Sequence, residues 1–310
     1  MERSSSVLVV GGTGYLGKRF VRASLTAGHR TYVLHRPEIG MDIDKAQMLL
    51  SHKKEGAILV HGSFGDHQSL VDAVRNADVV ICPISGVHHR SHEILLQLKL
   101  VDAIKEAGNV KRFIPSEFGS DPLYNMQHCT NPAKVAFEDK MAVRKAIEEA
   151  GIPFTYILGN CTMGYFVSGL CQPGTLFPSR DSVCLHGDGN VKAIFVEEDD
   201  VAAYTIKCVD DPRTLNTTLV IRPPENTLSQ REVVGMYIGK ELKKTSISKE
   251  GLLASMRDQP LAIQVGMGHY DNVFHDGCLC LELENQHLEA TELYPEIQYT
   301  RVQEYLKAFV

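Results

Sequence analysis

The chain has 310 residues, enough to bury a sizeable core, and its 44% hydrophobic content is ordinary for a globular protein. Lys and Arg number 32 against 38 Asp and Glu, and the resulting net charge of −6 argues against a nucleic-acid partner. No apolar run approaches the length of a membrane span, and Met1-Glu2-Arg3-Ser4-Ser5-Ser6 leads into only four apolar residues, so no secretory signal or membrane partner is expected and a cytoplasmic location is.

Val7–Val10 reads as a buried strand that runs directly into Gly11-Gly12-Thr13-Gly14-Tyr15-Leu16-Gly17. The Gly-x-x-Gly-x-x-Gly spacing through Gly11, Gly14 and Gly17 stands between that strand and a helical stretch, Lys18–Leu25. This placement predicts a dinucleotide loop, with Thr13, Tyr15 and Leu16 completing it. Glycine allows the sharp turn and close backbone approach a pyrophosphate needs, and a helix N-terminus offers amides and a positive dipole end. A second strand, Thr31–Leu34, ends at His35-Arg36-Pro37. An enzyme for the unphosphorylated cofactor places Asp or Glu there to accept from the ribose hydroxyls. Arg36 instead suits a 2′-phosphate, and Lys45 lies close enough in sequence to add a second charge, so NADPH is the expected cofactor.

Further short apolar runs at Ala57–His61, Asp78–Pro83, Arg112–Pro115 and Phe154–Leu158 alternate with helical stretches at Gln68–Arg75, Ile94–Ala107 and Pro132–Ala150. That rhythm predicts an α/β fold with a Rossmann-type, doubly wound parallel sheet. Gly108 and Gly151 are placed to close helices in the left-handed conformation. Ligands of such sheets sit beyond the carboxyl ends of the strands, so Ser85 and Gly86 after the fourth strand, and Ser116, Glu117 and Phe118 after the fifth, are expected at the cofactor. His88, His89 and His92 come with no carboxylate or cysteine spacing that would make a metal site, and no metal is expected.

Beyond residue 159 the chain is punctuated by Gln172-Pro173-Gly174, His186-Gly187-Asp188-Gly189-Asn190 and Arg222-Pro223-Pro224, which predicts a smaller, less regular region. The expected division is a nucleotide-binding domain over 1–158, with returning elements at about 191–222, and a substrate-binding region over 159–310. The 8 cysteines include no Cys-x-x-Cys pair and read as free thiols.

The Tyr-x-x-x-Lys pair of many short-chain reductases is missing: four residues before Lys140 stands Ala136. On a helical wheel Ala136, Val143, Ile147 and Ala150 share an apolar stripe that Lys140 borders, about 40° from Ala136. Two readings stay open on the wheel alone, a lysine snorkelling its charge to water and a desolvated amine able to act as a base.

Gly11–Gly17, His35-Arg36-Pro37-Glu38, Gln97-Leu98-Lys99-Leu100, Lys111-Arg112-Phe113-Ile114-Pro115-Ser116-Glu117-Phe118-Gly119, Phe137-Glu138-Asp139-Lys140, Asn160-Cys161, Gly187–Asn190 and Leu293-Tyr294-Pro295 together resemble the plant pinoresinol–lariciresinol reductases. That group is similar to isoflavone reductases and phenylcoumaran benzylic ether reductases, all atypical short-chain reductases, and the resemblance spans nearly the whole chain. It implies an NADPH-dependent reductase of a small-molecule lignan and a homodimer, with the catalytic base on Lys140 through the Phe-x-x-Lys match. Asn160 falls at the cofactor, and Val87, His88, His89, Cys161, Met163, Gly164, Phe166 and Tyr270 fall around the substrate. His269 aligns with a substrate-region histidine, placed to contact a phenol or the departing alkoxide.

The implied chemistry opens a benzylic ether. Lys140 takes the para-phenol proton, the ring opens to a quinone methide, and hydride is delivered to the benzylic carbon, converting pinoresinol to lariciresinol and onward to secoisolariciresinol. A phenylcoumaran benzylic ether or isoflavone-type reductase is the alternative within the class, and an NADPH-sensing regulator the alternative outside it. Departures from the family pattern at His89, Ser120, Thr162, Met163 and Asn272 leave open whether one lignan or both are taken, and which enantiomer.

Overall fold

The computed structural model describes residues 4–85, 93–129, 131–175, 177–237, 241–279 and 287–309. Strands β1 (Ser6–Val10), β2 (Arg30–His35), β3 (Ile58–His61), β4 (Val79–Ile81) and β5 (Arg112–Ile114) pair in parallel in the order β3-β2-β1-β4-β5. A parallel bridge between Phe113 and Phe154 carries the sheet on to β6 (Thr155–Leu158). Three later strands, β7 (Cys161–Thr162), β8 (Ser182–His186) and β9 (Lys192–Val196), leave this sheet. It resumes with β10 (Thr217–Val220), paired in parallel with β6. Beyond β11 (Thr227–Ser229) and β12 (Lys243–Ile247), the last strand, β13 (His287–Glu289), pairs with the outer edge of β10.

The sheet is apolar on both faces because helices cover both. Side chains alternate along a strand, so Val7 and Val9 join one cluster with Phe20 and Val21 of α1 (Gly17–Thr26). Leu8 and Val10 join the opposite cluster. In chain order the next helices are α2 (Ile43–Lys54), α3 (His67–Val74), α4 (Gln97–Ala107), α5 (Pro122–His128) and α6 (Lys134–Glu149); Val101 and Ile104 of α4 and Val143 and Ile147 of α6 fill that second cluster. Gly108 and Gly151 take φ of 68° and 64°, the left-handed caps expected of them.

The expected start of the lysine-bearing helix needs correction. Ala133 is the N-cap of α6, so Pro132, joined to Asn131 by a cis peptide, lies outside it. The stripe is as drawn, with Ala136, Val143 and Ile147 buried and Glu138, Lys145, Glu148 and Glu149 exposed. Helix α2 was not anticipated, since its apolar residues are sparse; Asp42 caps it by accepting from the Lys45 amide at 3.1 Å.

In the second half come α7 (Met163–Phe166), α8 (Glu198–Lys207), α9 (Gln230–Gly235), α10 (Lys249–Met256) and α11 (Leu261–Phe274). Helix α8 packs on α1, and β10 enters the sheet, whereas β9 pairs with β7 and β11 instead. The return of His287–Glu289 to the sheet had no sequence signal, because three residues are too few to show a period.

Candidate active site

The glycine loop lies at the carboxyl end of β1, where the chain crosses from β2 and β3 on one side to β4 and β5 on the other. This switch point is where doubly wound sheets bind ligands. Gly11 adopts φ +94°, a conformation that only glycine takes without strain. A Cβ on Gly17 would stand 2.0 Å from the Gly11 carbonyl oxygen, and one on Gly14 3.1 Å from it. His52, a residue sequence reasoning passed over, reaches from α2 to hydrogen-bond the Gly12 carbonyl at 3.1 Å. The N-cap of α1 is Leu16, whose side chain caps nothing; the Lys18 and Arg19 amides already donate to the Gly14 and Leu16 carbonyls at 3.2 and 2.9 Å, so the amides that can meet a ligand are those that precede them in the loop. A backbone cradle without room for side chains, opening onto an uncapped helix, is what a pyrophosphate requires, so these residues fit NADPH.

The two residues assigned to the 2′-phosphate differ. Arg36 is exposed at the end of β2, beyond the His35 and His61 rings. Lys45 already pairs with Asp42 at 2.9 Å. Arg36 is therefore the stronger candidate for that phosphate.

Four residues expected at the cofactor have their side chains committed elsewhere. Ser116 donates its hydroxyl to the Ile84 carbonyl, while its amide donates to Gln97 Oε1 at 2.8 Å, which ties the loop after β5 to that after β4. Ser85 is exposed beside this tie. The Phe118 ring is buried against Phe20, with centroids 4.8 Å apart. Asn160, at φ +53°, donates to the Ile221 carbonyl at 2.7 Å. Glu117 is buried and its carboxylate is gripped by Arg144, through Nε at 3.0 Å and Nη2 at 2.9 Å. Gly86, Val87, His88 and His89 lie outside the described residues.

Lys140 comes to this loop from α6. Its Nζ donates to the Glu117 carbonyl oxygen at 2.6 Å. Burial pushes the amine below the ordinary lysine range; Glu117 opposes the fall, the Arg144 guanidinium adds to it, and Asp121 opposes it. The snorkelling reading therefore does not describe Lys140. Arg144, one turn further along α6, is held by the bidentate Glu117 pair, by Asp121 at 3.5 Å and by the Tyr156 ring at 4.4 Å. Neither Arg144 nor Asp121 was singled out by sequence reasoning; only their one-turn and four-residue offsets from Lys140 and Glu117 could have drawn notice.

His269 reaches the same place from α11. Gly268 makes this possible, because a Cβ there would lie 2.6 Å from Ala133 Cβ, so α11 meets the start of α6 at close range. The His269 ring packs on Phe137 with centroids 5.3 Å apart and hydrogen-bonds the Ala133 backbone. Its Nε2 is buried and unpartnered among the described residues. Burial and the nearby Lys140 push its pKa down to about 4, so the ring is neutral near pH 7. With Nδ1 donating to Ala133, Nε2 carries a lone pair and accepts.

Five of the residues expected at the substrate remain: Cys161, Met163, Gly164, Phe166 and Tyr270. Cys161, Met163, Phe166 and Tyr270 are buried, and the Phe166 ring packs at a tilt against those of Tyr270 and Phe274. The exposed member of this cluster is Tyr165, which was not foreseen; its carbonyl accepts from the Tyr270 hydroxyl at 3.3 Å. Gly164 donates its amide to Glu198 Oε1 at 2.8 Å.

A parallel sheet with a dinucleotide loop at its switch point and a depressed lysine amine at the adjoining strand end defines a Rossmann-fold, NADP-dependent reductase. The NmrA-like family matches residues 3–306, and the chain belongs to that family. It is 66% identical to bifunctional pinoresinol-lariciresinol reductase 2 of Linum usitatissimum, over 99% of this chain and 94% of the relative. The bifunctional pinoresinol-lariciresinol reductase of Forsythia intermedia is 61% identical over 99% of both chains. A solved structure of AtPrR2 with NADP+ and (+)pinoresinol superposes with a TM-score of 0.96 at 53% identity, covering 100% of each chain.

Proposed function

We propose that this chain opens the benzylic ethers of furofuran lignans, taking pinoresinol to lariciresinol and on to secoisolariciresinol, with Lys140 as the base. It is an NADPH-dependent oxidoreductase of the pinoresinol–lariciresinol reductase type. The Lys140 amine, desolvated and donating to the Glu117 carbonyl at 2.6 Å, carries this reading. A neutral amine that donates one N–H keeps its lone pair free and aimed away from that carbonyl, ready to accept a phenol proton. Burial shifts the balance toward this neutral form, the one a general base needs. His269 Nε2, an acceptor, suits a substrate hydroxyl; it does not suit the departing alkoxide, which needs a donor.

Once the phenol is deprotonated, the benzylic C–O bond breaks and its electron pair leaves on the ether oxygen. Lys140 returns its proton to that alkoxide. Bound NADPH supplies the hydride that reduces the benzylic carbon, and a solvent proton restores the phenol. The cradle of Gly11, Gly14 and Gly17 and the first turn of α1 would hold the pyrophosphate, and Arg36 the 2′-phosphate. Residues 1–158 then serve the nucleotide and 159–310 chiefly the substrate.

A homodimer in the cytosol belongs to the same proposal. The family resemblance supports the dimer, and the seven described cysteines, none of them in a disulfide, support a reducing compartment. Purified protein given NADPH and racemic pinoresinol, with chiral analysis of the products, tests the activity. Lariciresinol followed by secoisolariciresinol is expected, and neither from Lys140→Ala. Consumption of dehydrodiconiferyl alcohol with pinoresinol untouched would overturn it in favour of a phenylcoumaran-type reductase.

A further inference from the structure

The side chain of Tyr15 turns away from the glycine loop toward the second half of the chain. Its hydroxyl donates to Glu198 Oε1, and that same oxygen accepts the Gly164 amide at 2.8 Å. Glu198 is 1% exposed, so one buried carboxylate oxygen holds the cofactor loop and the first turn of α7 at once. The contact has no slack: a Cβ on Gly164 would stand 2.2 Å from the Tyr15 hydroxyl. Arg19 makes a second tie nearby. It pairs with Asp199 at 3.1 Å, donates to the Tyr15 carbonyl at 2.8 Å and lies 4.9 Å from the Tyr15 ring centroid. On the far side, the Tyr165 carbonyl accepts from Tyr270, the neighbour of His269 on α11.

We infer that Glu198 is a positioning residue that couples the two binding events: ordering the glycine loop around the dinucleotide fixes, through Tyr15, Glu198 and Gly164, the turn that presents the substrate side of the site. The physical reason is economy of freedom. Tyr15 belongs to the loop that contacts the pyrophosphate, so occupancy restrains its ring, and a restrained hydroxyl restrains the carboxylate and the Gly164 amide hydrogen-bonded to it. The second ligand then orders less on binding, which makes each ligand raise the other's affinity. Nothing in the chemistry requires Glu198 to touch either ligand.

This inference rests on the function proposed above, and the two fail separately in one experiment. The dissociation constant of NADP+ is measured by titration with and without saturating pinoresinol, and their ratio is the coupling factor. Turnover with NADPH is read on the same preparations. Wild type is expected to show a ratio of about 5 or more, within the usual span of such couplings. Tyr15→Phe, which removes only the hydroxyl, and Glu198→Ala are expected to lower the ratio at least threefold. Both should raise the pinoresinol KM more than they lower kcat. Glu198→Gln keeps an acceptor oxygen and is expected to restore the ratio to within twofold of wild type. Should Glu198→Ala fail to fold, Tyr15→Phe decides. A wild type that turns pinoresinol over while Tyr15→Phe leaves the ratio unchanged overturns the coupling and leaves the function standing. A wild type that binds NADP+ but neither binds nor reduces pinoresinol overturns both.

Discussion

Lys140 Nζ sits 2.6 Å from the carbonyl oxygen of Glu117, while the carboxylate of that same glutamate is occupied by Arg144. Backbone and side chain of one residue thus serve opposite ends of the site. The carbonyl orients the amine without charging it, and Arg144 neutralises the carboxylate that would otherwise draw a proton onto the lysine. A salt bridge directly between Glu117 and Lys140 would hold the amine protonated and useless as a base.

Arg144→Met is therefore expected to act on rate and on stability together. Without the guanidinium, Glu117 and Asp121 both favour the charged lysine, so the Lys140 pKa rises. The alkaline-rising limb of kcat/KM moves to higher pH, and activity near pH 7 falls. Leaving Glu117 buried and unpaired costs about 3–5 kcal/mol. A pH–rate profile beside a denaturant melt checks both; a destabilised variant whose limb stays in place would show that Arg144 does not tune the amine.

Much of this fold was readable because its signals are local. Val7–Val10 and the glycines after it are contiguous, and the stripe on α6 repeats within four turns, so the sheet, the cofactor loop and the position of Lys140 follow from neighbours in sequence. The residues that set the chemistry around Lys140 do not. Glu117 and Arg144 are 27 residues apart, and Tyr15 and Glu198 are 183 apart. A glutamate beside a cofactor loop reads as a cofactor contact until its partner is seen. Likewise Cys161 and Met163, expected at the substrate, are buried in the main core cluster, where β7 pairs with β9. Adjacency in sequence does not tell which of these side chains the backbone turns into the core.

Arg36 and Lys45 should contribute unequally to cofactor choice. Arg36→Ala removes an exposed guanidinium, and the loss of a charge-assisted contact of about 1.5–3 kcal/mol raises the NADPH KM by roughly 10–100-fold. The NADH KM should change little. Lys45→Ala is expected to do less, because its ammonium is shared with Asp42 at 2.9 Å. Steady-state kinetics with both nucleotides ranks the two, and equal effects would contradict the assignment.

Gly17→Ala puts a methyl group where the Gly11 carbonyl lies 2.0 Å away, and backbone cannot step aside as a side chain would. The loop must open, and NADPH binding is expected to weaken by about tenfold or more, a loss of ~1.4 kcal/mol at least. Gly40→Ala is the matched control, since nothing lies within 4 Å of the new carbon. Fluorescence titration of NADPH compares them. A Gly17→Ala protein with wild-type affinity would mean that the cradle does not hold the pyrophosphate.

His269 and His186 make the protein sensitive to acid. Burial leads the causes that bring each down to about 4 in the folded chain, while an unfolded histidine titrates near 6.5. Between those two values the unfolded chain binds more protons than the folded one, so stability rises with pH across the window and is lost as pH falls from about 6.5 toward 4. His269→Gln removes one of the two titrating groups and keeps the polar volume. Its Tm is expected to drop less than that of wild type between pH 7 and pH 5, and its turnover to fall because Nε2 no longer accepts the substrate hydroxyl. Gly268→Ala gives the complementary result: the added carbon, 2.6 Å from Ala133 Cβ, pushes α11 away from α6 and turnover falls with the imidazole still present. Thermal melts over this pH range, read beside kcat and KM, check the pair. An acid-induced Tm drop unchanged in His269→Gln would mean that this ring is solvated and titrates normally.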